Sequence, residues 1–290
     1  MEMGQANTPG DAQIPMRRRF GRVPVRVILP NLVTLLALCM GLTAIRFAFE
    51  GRFDHAVIAI IVAAILDGLD GRLARAISGT SRFGAELDSL ADFIDFGVAP
   101  ALVLYFWGLH EFKSAGWVAA LIFAIAAALR LARFNVMIDD PERPAWHGHF
   151  FTGMPAPAGA ILALMPLYLH LSVVGLPNSK AFAPYYIAYV IAIAFLMASR
   201  IPHFSGKSAG RVPREYVIFV LFGIAALLLL LATYPMEMLI ALSLAYLATI
   251  PLAVRSFNAR TAADAAEKAA AGGPETVAAA DDGRAGSVQP

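Results

Sequence analysis

Long, unbroken apolar runs constrain this chain more than any other feature of its sequence. Residues 28–49, 87–108, 116–134, 154–175, 184–199, 214–233 and 236–254 are each predominantly apolar, and crossing the hydrocarbon core of a bilayer takes about 20 such residues. The runs are continuous and do not alternate with period two, which excludes a β-barrel. Helices remain, since only helices and closed barrels satisfy every backbone polar group inside lipid. Composition agrees, with 59% hydrophobic and 15% charged residues, against roughly 25% charged in soluble domains. An ordinary soluble enzyme is excluded on these grounds. The net charge of +2 gives no footprint for a nucleic-acid partner. The single cysteine, Cys39, lies in an apolar run and rules out an intrachain disulfide or a cysteine-based metal site. The basic stretch Arg17-Arg18-Arg19 precedes an apolar run too long for a signal peptide and without an A-x-A cleavage site.

An eighth helix is expected over 54–76. Its first half is apolar, whereas its second half carries Asp67, Asp70, Arg72 and Arg75 and is expected to project from the hydrocarbon. The distribution of basic residues supports this eight-helix count. With a cytoplasmic N-terminus, nineteen of the 23 lysines and arginines fall on the cytoplasmic side, the asymmetry of the positive-inside rule. Only Arg46, Arg52, Lys113 and Lys180 fall on the other side. Both termini then face the cytoplasm. Residues 1–27 form a polar, then basic segment suited to the anionic leaflet surface. Residues 256–290 form an Ala-, Gly- and charge-rich cytoplasmic tail, expected to be disordered apart from a short helix at 261–271.

The chemistry concentrates in residues 67–95. On helices, Asp67, Asp70, Gly71 and Ala74 share one face, and so do Gly84, Asp88, Asp92 and Asp95. A short turn, Ser78-Gly79-Thr80-Ser81, lets the two faces meet. Carboxylates so close together repel unless a positive charge sits among them, and hard divalent cations take oxygen ligands of this kind. Two such ions clamp a diphosphate and stabilise its leaving oxygen. Gly68, Gly71, Ala74 and Gly84 remove side chains where a bulky substrate must approach, and Arg75 offers a fork to phosphate oxygens. An ion-coupled transporter also uses intramembrane carboxylates, but no second copy of the pattern occurs in the other half of the chain.

The string Asp67-x2-Asp70-Gly71-x2-Ala74-Arg75-x8-Gly84-x3-Asp88-x3-Asp92 resembles, at every defined position, the signature of the CDP-alcohol phosphatidyltransferases. That resemblance implies an all-α, polytopic helical bundle in the inner (cytoplasmic) membrane. It implies a six-helix catalytic core over 28–210, with 211–255 adding two further transmembrane helices. It implies a homodimer, a site open to the cytoplasm, and Mg2+ or Mn2+ as cofactor, with two ions per site. Asp67, Asp70, Asp88 and Asp92 would be the metal ligands, and Asp92 the catalytic base. Asn31, Thr34, Asp67, Gly71, Ala74, Arg75 and Gly84 would bind the CDP moiety of CDP-diacylglycerol.

Further stretches resemble the phosphatidylserine synthase branch of that family. They are Asp92-Phe93-Ile94-Asp95-Phe96-Gly97-Val98-Ala99-Pro100, Leu129 to Asn135, Phe151 to Pro157 and Ser199 to Lys207. L-serine is the acceptor this implies, with choline, glycerol 3-phosphate or an inositol phosphate as alternatives. A zwitterionic acceptor calls for charges of both signs, and Arg130, Arg133, Asn135, Asp95, Arg200 and Lys207 are the candidates. The six histidines show no zinc-binding spacing. Trp107, Trp117, Tyr185, Tyr186, Tyr216 and Tyr234 lie near helix ends, where interfacial aromatic belts form.

Overall fold

The computed structural model of the protein describes residues 25–77, 81–138, 150–204 and 213–271. The N-terminal basic cluster, the turn residues 78–80, His147 and His149, Lys207 and the end of the tail lie outside the described residues.

The first two helices form an antiparallel hairpin. Val25–Phe49 (α1) and Phe53–Ala76 (α2) are joined by a turn in which Gly51 takes a φ of +74°, a conformation that costs a residue without Cβ little. Both helices bury alanines, namely Ala37, Ala44 and Ala48 on α1 and Ala56, Ala59 and Ala63 on α2. Small side chains let the two backbones approach closely where lipid gives helices little hydrophobic reason to associate. Charges cap the hairpin turn: Arg46 Nε stands 2.8 Å from Glu50, and the Arg52 guanidinium lies 4.7 Å from the Phe47 ring centroid.

The next crossing is interrupted. Arg82–Phe93 (α3) runs into a π-turn at Ile94–Val98 and resumes as Ala99–Trp107 (α4). The sequence predicts one helix from 87 to 108. Two residues explain the widened turn: Pro100 lacks an N–H and its ring would press on the carbonyl four residues back in a regular α-helix. Gly97 is held against Ala127 and Phe93, with room for no Cβ beyond about a contact of 3.0 Å to Ala127. Opening one turn to i→i+5 bonding, with the Ala99 N–H donating to the Ile94 carbonyl, accommodates the proline inside a continuous crossing.

Lys113–Ile138 (α5) packs on Ala183–Ala198 (α8) and α4. The expected helix at 154–175 is two pieces, Ala156–Ala163 (α6) and Met165–Leu171 (α7), separated at Leu164 because Pro166 opens the second. Phe150–Thr152 (β1) and Pro202–Phe204 (β2) form a small antiparallel ribbon, with Phe151 opposite His203. Gly153, at φ +80°, follows the ribbon, and its N–H donates to the Ile201 carbonyl. A Cβ there would meet the Ser199 and Met197 carbonyl oxygens at 2.8 and 2.9 Å. Val217–Thr233 (α9) is apolar and exposed except at Leu231, which packs against the core, and Pro235–Ala271 (α10) follows it. The helix expected separately at 261–271 is the continuation of α10, as its alanine-rich sequence favours.

All eight expected crossings are thus helical, and the protein is an all-α integral membrane protein. Among the described residues, four segments are long and apolar enough to span a bilayer: Ile28–Phe49, Arg82–Trp107, Leu109–Met137 and Pro235–Asp264. Ala183–Ala198 and Val217–Thr233 are shorter apolar helices. Trp107 is not lipid-facing. It is 2% exposed and packs between Tyr186 and His170, with ring centroids 5.0 and 5.6 Å away, while its backbone carbonyl accepts from Asn178.

Candidate active site

Each part of the site is supplied by a helix end near the α2–α3 turn. Asp67 and Asp70 project from the last turns of α2 and Asp88 from α3, and the three offer carboxylate oxygens within 4.8 Å of one another. This donor set consists entirely of hard oxygens, and it fits a divalent cation. Asp92, one turn beyond Asp88, lies outside that cluster of three and interacts electrostatically with Asp67. Thr34 on α1 donates to Asp70 Oδ2 at 2.7 Å and so fixes one carboxylate's orientation from a third helix. Arg130 on α5, 8% exposed, faces the cluster from the fourth side and interacts electrostatically with Asp92 and Asp67.

Beside the carboxylates lies a cleft of about 240 Å³. Asn31, Thr34, Gly71, Ala74, Arg75 and Gly84 all line it, together with Pro30, Asp70, Ser81, Ala85 and Asp88. Six of the seven residues expected to hold the nucleotide are therefore gathered on one cleft, and Asp67 belongs to the adjoining cluster. The glycines have separable reasons. At Gly84 a Cβ would stand 2.7 Å from Asn31 Oδ1 and 3.1 Å from Ser81 Oγ, so the residue keeps α3 close to α1. Ser81 Oγ accepts the Gly84 N–H at 3.0 Å and caps α3. At Gly71 a Cβ would only touch the Arg75 guanidinium at 3.6 Å, and at Gly68 it would meet nothing within 4 Å. Packing does not demand either of the latter two.

The residues expected around the acceptor are dispersed. Arg130 lies within electrostatic reach of Asp92. Asp95 is 1% exposed, lies within the π-turn and presses on Gly41 of α1, with no hydrogen-bond partner for its buried Oδ1 among the described residues. Arg133 Nη1 donates to the Ala198 and Ser199 carbonyls at 2.8 and 3.2 Å, closing the C-terminal end of α8. Asn135 donates to Ser89 at 2.9 Å and ties α5 to α3, while Arg200 is exposed. Arg133→Ala is accordingly expected to lower stability by about 1–3 kcal/mol through two orphaned carbonyls, read as a fall in the thermal transition of the detergent-solubilised protein whichever substrate is present.

Sequence reasoning missed three contributors. Gly41 was not singled out because its role depends on a partner more than fifty positions away. Ser81 carried a recognisable signal, a serine at the start of a helix. Tyr246 on α10 stacks on His203 of β2, with centroids 5.9 Å apart and planes 12° from parallel, and interacts electrostatically with Arg130.

Residues 27–198 match the CDP-alcohol phosphatidyltransferase family. The chain is 43% identical over 242 residues to a CDP-diacylglycerol–serine O-phosphatidyltransferase of Mycobacterium leprae (strain TN), covering 83% of this chain and 79% of that protein. It is 33% identical over 195 residues to the protein of that name from Helicobacter pylori (strain ATCC 700392 / 26695), covering 67% of this chain and 79% of the other. The corresponding figures for the Bacillus subtilis (strain 168) protein of that name are 32% over 185 residues, 62% and 93%.

Proposed function

The chain belongs to the CDP-alcohol phosphatidyltransferase family, and from that premise we propose that it transfers a phosphatidyl group from CDP-diacylglycerol to the hydroxyl of L-serine, releasing CMP. The observation that carries the reaction class is the joining of a three-carboxylate cluster to a cleft lined by Asn31, Thr34, Gly71, Ala74, Arg75 and Gly84. The choice of serine rests on the relatives that bear that name over most of their length.

In this reading the serine hydroxyl oxygen attacks the lipid-side phosphorus. The bond from that phosphorus to the bridging oxygen breaks, and CMP leaves with both electrons. Asp92 receives the hydroxyl proton, because a neutral hydroxyl is a weak nucleophile until a base takes its proton at the transition state. Asp67, Asp70 and Asp88, with Asp92 beside them, would hold divalent metal, Mg2+ or Mn2+ and two ions per site. Metal bound there neutralises diphosphate charge and favours departure of the leaving group. Thr34 holds the Asp70 carboxylate in place. Arg75, at the exposed rim, meets phosphate oxygens, and the open space over Gly68 and Gly71 admits the diphosphate next to the helix backbone. Arg130 answers the carboxylate of the incoming amino acid, with Arg133, Asn135, Asp95, Arg200 and Lys207 as the further acceptor candidates.

The same reading treats 28–210 as the catalytic core, 211–255 as two added crossings and 256–290 as a tail. It places the protein in the inner membrane as a homodimer, with both termini and the site facing the cytoplasm. The basic-residue asymmetry supports that orientation. The test is acceptor choice. Purified protein in detergent receives CDP-diacylglycerol with serine, glycerol 3-phosphate, choline or an inositol phosphate, with and without a chelator. CMP release with serine alone, abolished by the chelator and restored by Mg2+ or Mn2+, is the expected result. Release with a different acceptor discards the serine assignment, and release that survives chelation discards the metal.

A further inference from the structure

The last helix is not merely an additional crossing. One stripe of α10, containing Met236, Leu239, Ser243 and Ala253, is buried against the body of the protein, and Tyr246 lies on the same stripe. The family match ends at residue 198, so this stripe and β2 both lie beyond it. Between them sit buried polar atoms with no partner among the described residues, including His203 Nε2 and the Tyr246 hydroxyl.

The chemistry of these atoms is determined by their neighbours. His203 Nδ1 stands 2.8 Å from the Ile201 carbonyl oxygen, which only accepts, so Nδ1 carries the proton. Burial holds this imidazole below the usual histidine range, with the Ile201 bond acting in the opposite sense. The ring is then neutral at pH 7, and Nε2 presents a lone pair. His203 itself is 1% exposed. Next to it the Tyr246 hydroxyl can donate, and the buried guanidinium of Arg130 interacts electrostatically with both Tyr246 and Asp92. One donor and one acceptor without partners are thus buried together between α10 and β2, within electrostatic reach of the cationic Arg130. A buried polar atom left without a partner costs about 1–3 kcal/mol, so such a set signals a ligand that supplies the missing partners.

We propose that Arg130, Tyr246 and His203 form the head-group site for a zwitterionic α-amino acid, its carboxylate accepting from Arg130 and Tyr246 and its ammonium donating to His203 Nε2. This rests on the acceptor reading given above and assigns specificity for that acceptor to a helix and a strand outside the matched core. The hydroxyl of such a ligand then points toward Asp92, since Arg130 borders both.

Steady-state CMP release by the full-length protein tests this, with serine and CDP-diacylglycerol varied in turn. Tyr246→Phe is expected to raise KM for serine roughly ten- to hundredfold, the effect of losing one hydrogen bond to a charged group. KM for CDP-diacylglycerol and the thermal transition should stay near wild type. His203→Gln should raise the serine KM in the same selective way, and it decides the matter should the tyrosine variant fail to fold. A serine KM within twofold of wild type in a folded variant overturns the proposal, and so does an equal rise for both substrates, which marks a purely structural role. Failure of the wild-type protein to use serine at all sinks the acceptor reading instead. Normal serine use with unmoved KM values in the variants sinks this inference alone.

Discussion

Asp92→Ala retains CDP-diacylglycerol binding and releases CMP about 10²–10⁴-fold more slowly than wild type, the usual loss when a positioned base is removed. The geometry leads to this expectation in two steps. Asp67, Asp70 and Asp88 form a cluster of mutually close oxygens without Asp92, so the cleft and most of the cation-binding charge persist in the variant. Asp92 nonetheless interacts electrostatically with both Asp67 and Arg130, which associates it with the cluster and with the proposed acceptor site. The effect should therefore fall on kcat, with KM for the lipid substrate little changed. A binding measurement with labelled CDP-diacylglycerol on the same preparation separates the two. Turnover near the wild-type rate would remove Asp92 as the base, and loss of lipid binding together with turnover would reassign it to metal retention.

Gly41→Ala is the second large effect, and its origin is steric. A Cβ at position 41 would overlap Asp95 Oδ1 and stand 2.9 Å from its Cγ and 3.1 Å from its Cα. The side-chain oxygen can swing aside only by leaving a buried position, and the Cα belongs to the backbone of the π-turn. The helix pair must then separate, an overpacking cost of about 1–3 kcal/mol. The same displacement moves α1, which carries Asn31 and Thr34, relative to α3, which carries Asp88 and Asp92. Activity is expected to fall further than stability alone accounts for. Thermal inactivation and CMP release measured on one sample check this, and a variant with wild-type values in both would show that the turn yields freely.

Much of this was legible in the sequence, for reasons that can be stated. Asp67, Asp70, Asp88, Gly71, Ala74 and Gly84 follow from local periodicity, because a helix face is fixed by residue spacing and the α2–α3 connection is short, whereas Asn31 and Thr34 come from the family resemblance alone. Seven of the eight helices follow from apolar length, and the one over 54–76 from its apolar first half together with the distribution of basic residues. What was not legible depends on contacts between distant segments. The π-turn is signalled only weakly, by Gly97 and Pro100. The break at Leu164 sits inside an apolar run that hydropathy treats as uniform. Trp107 is placed near a helix end correctly, but whether such an end faces lipid or protein depends on helices packed against it. Tyr246 could be given no role from spacing, since α10 reaches β2 and α5 through tertiary packing alone.

The π-turn has one more consequence. An α-helix carries its side chains round by about 100° per residue, and a turn widened by one residue sets everything beyond it back by that amount. The two ends of this single crossing therefore keep separate phases. Asp88 and Asp92 follow the orientation that the α2 carboxylates require, while Val103, Leu104 and Trp107, all buried, follow the orientation that the protein interior requires. Deleting one residue between 94 and 98 would bring both ends into a common phase, and only one of them would still point where it is needed.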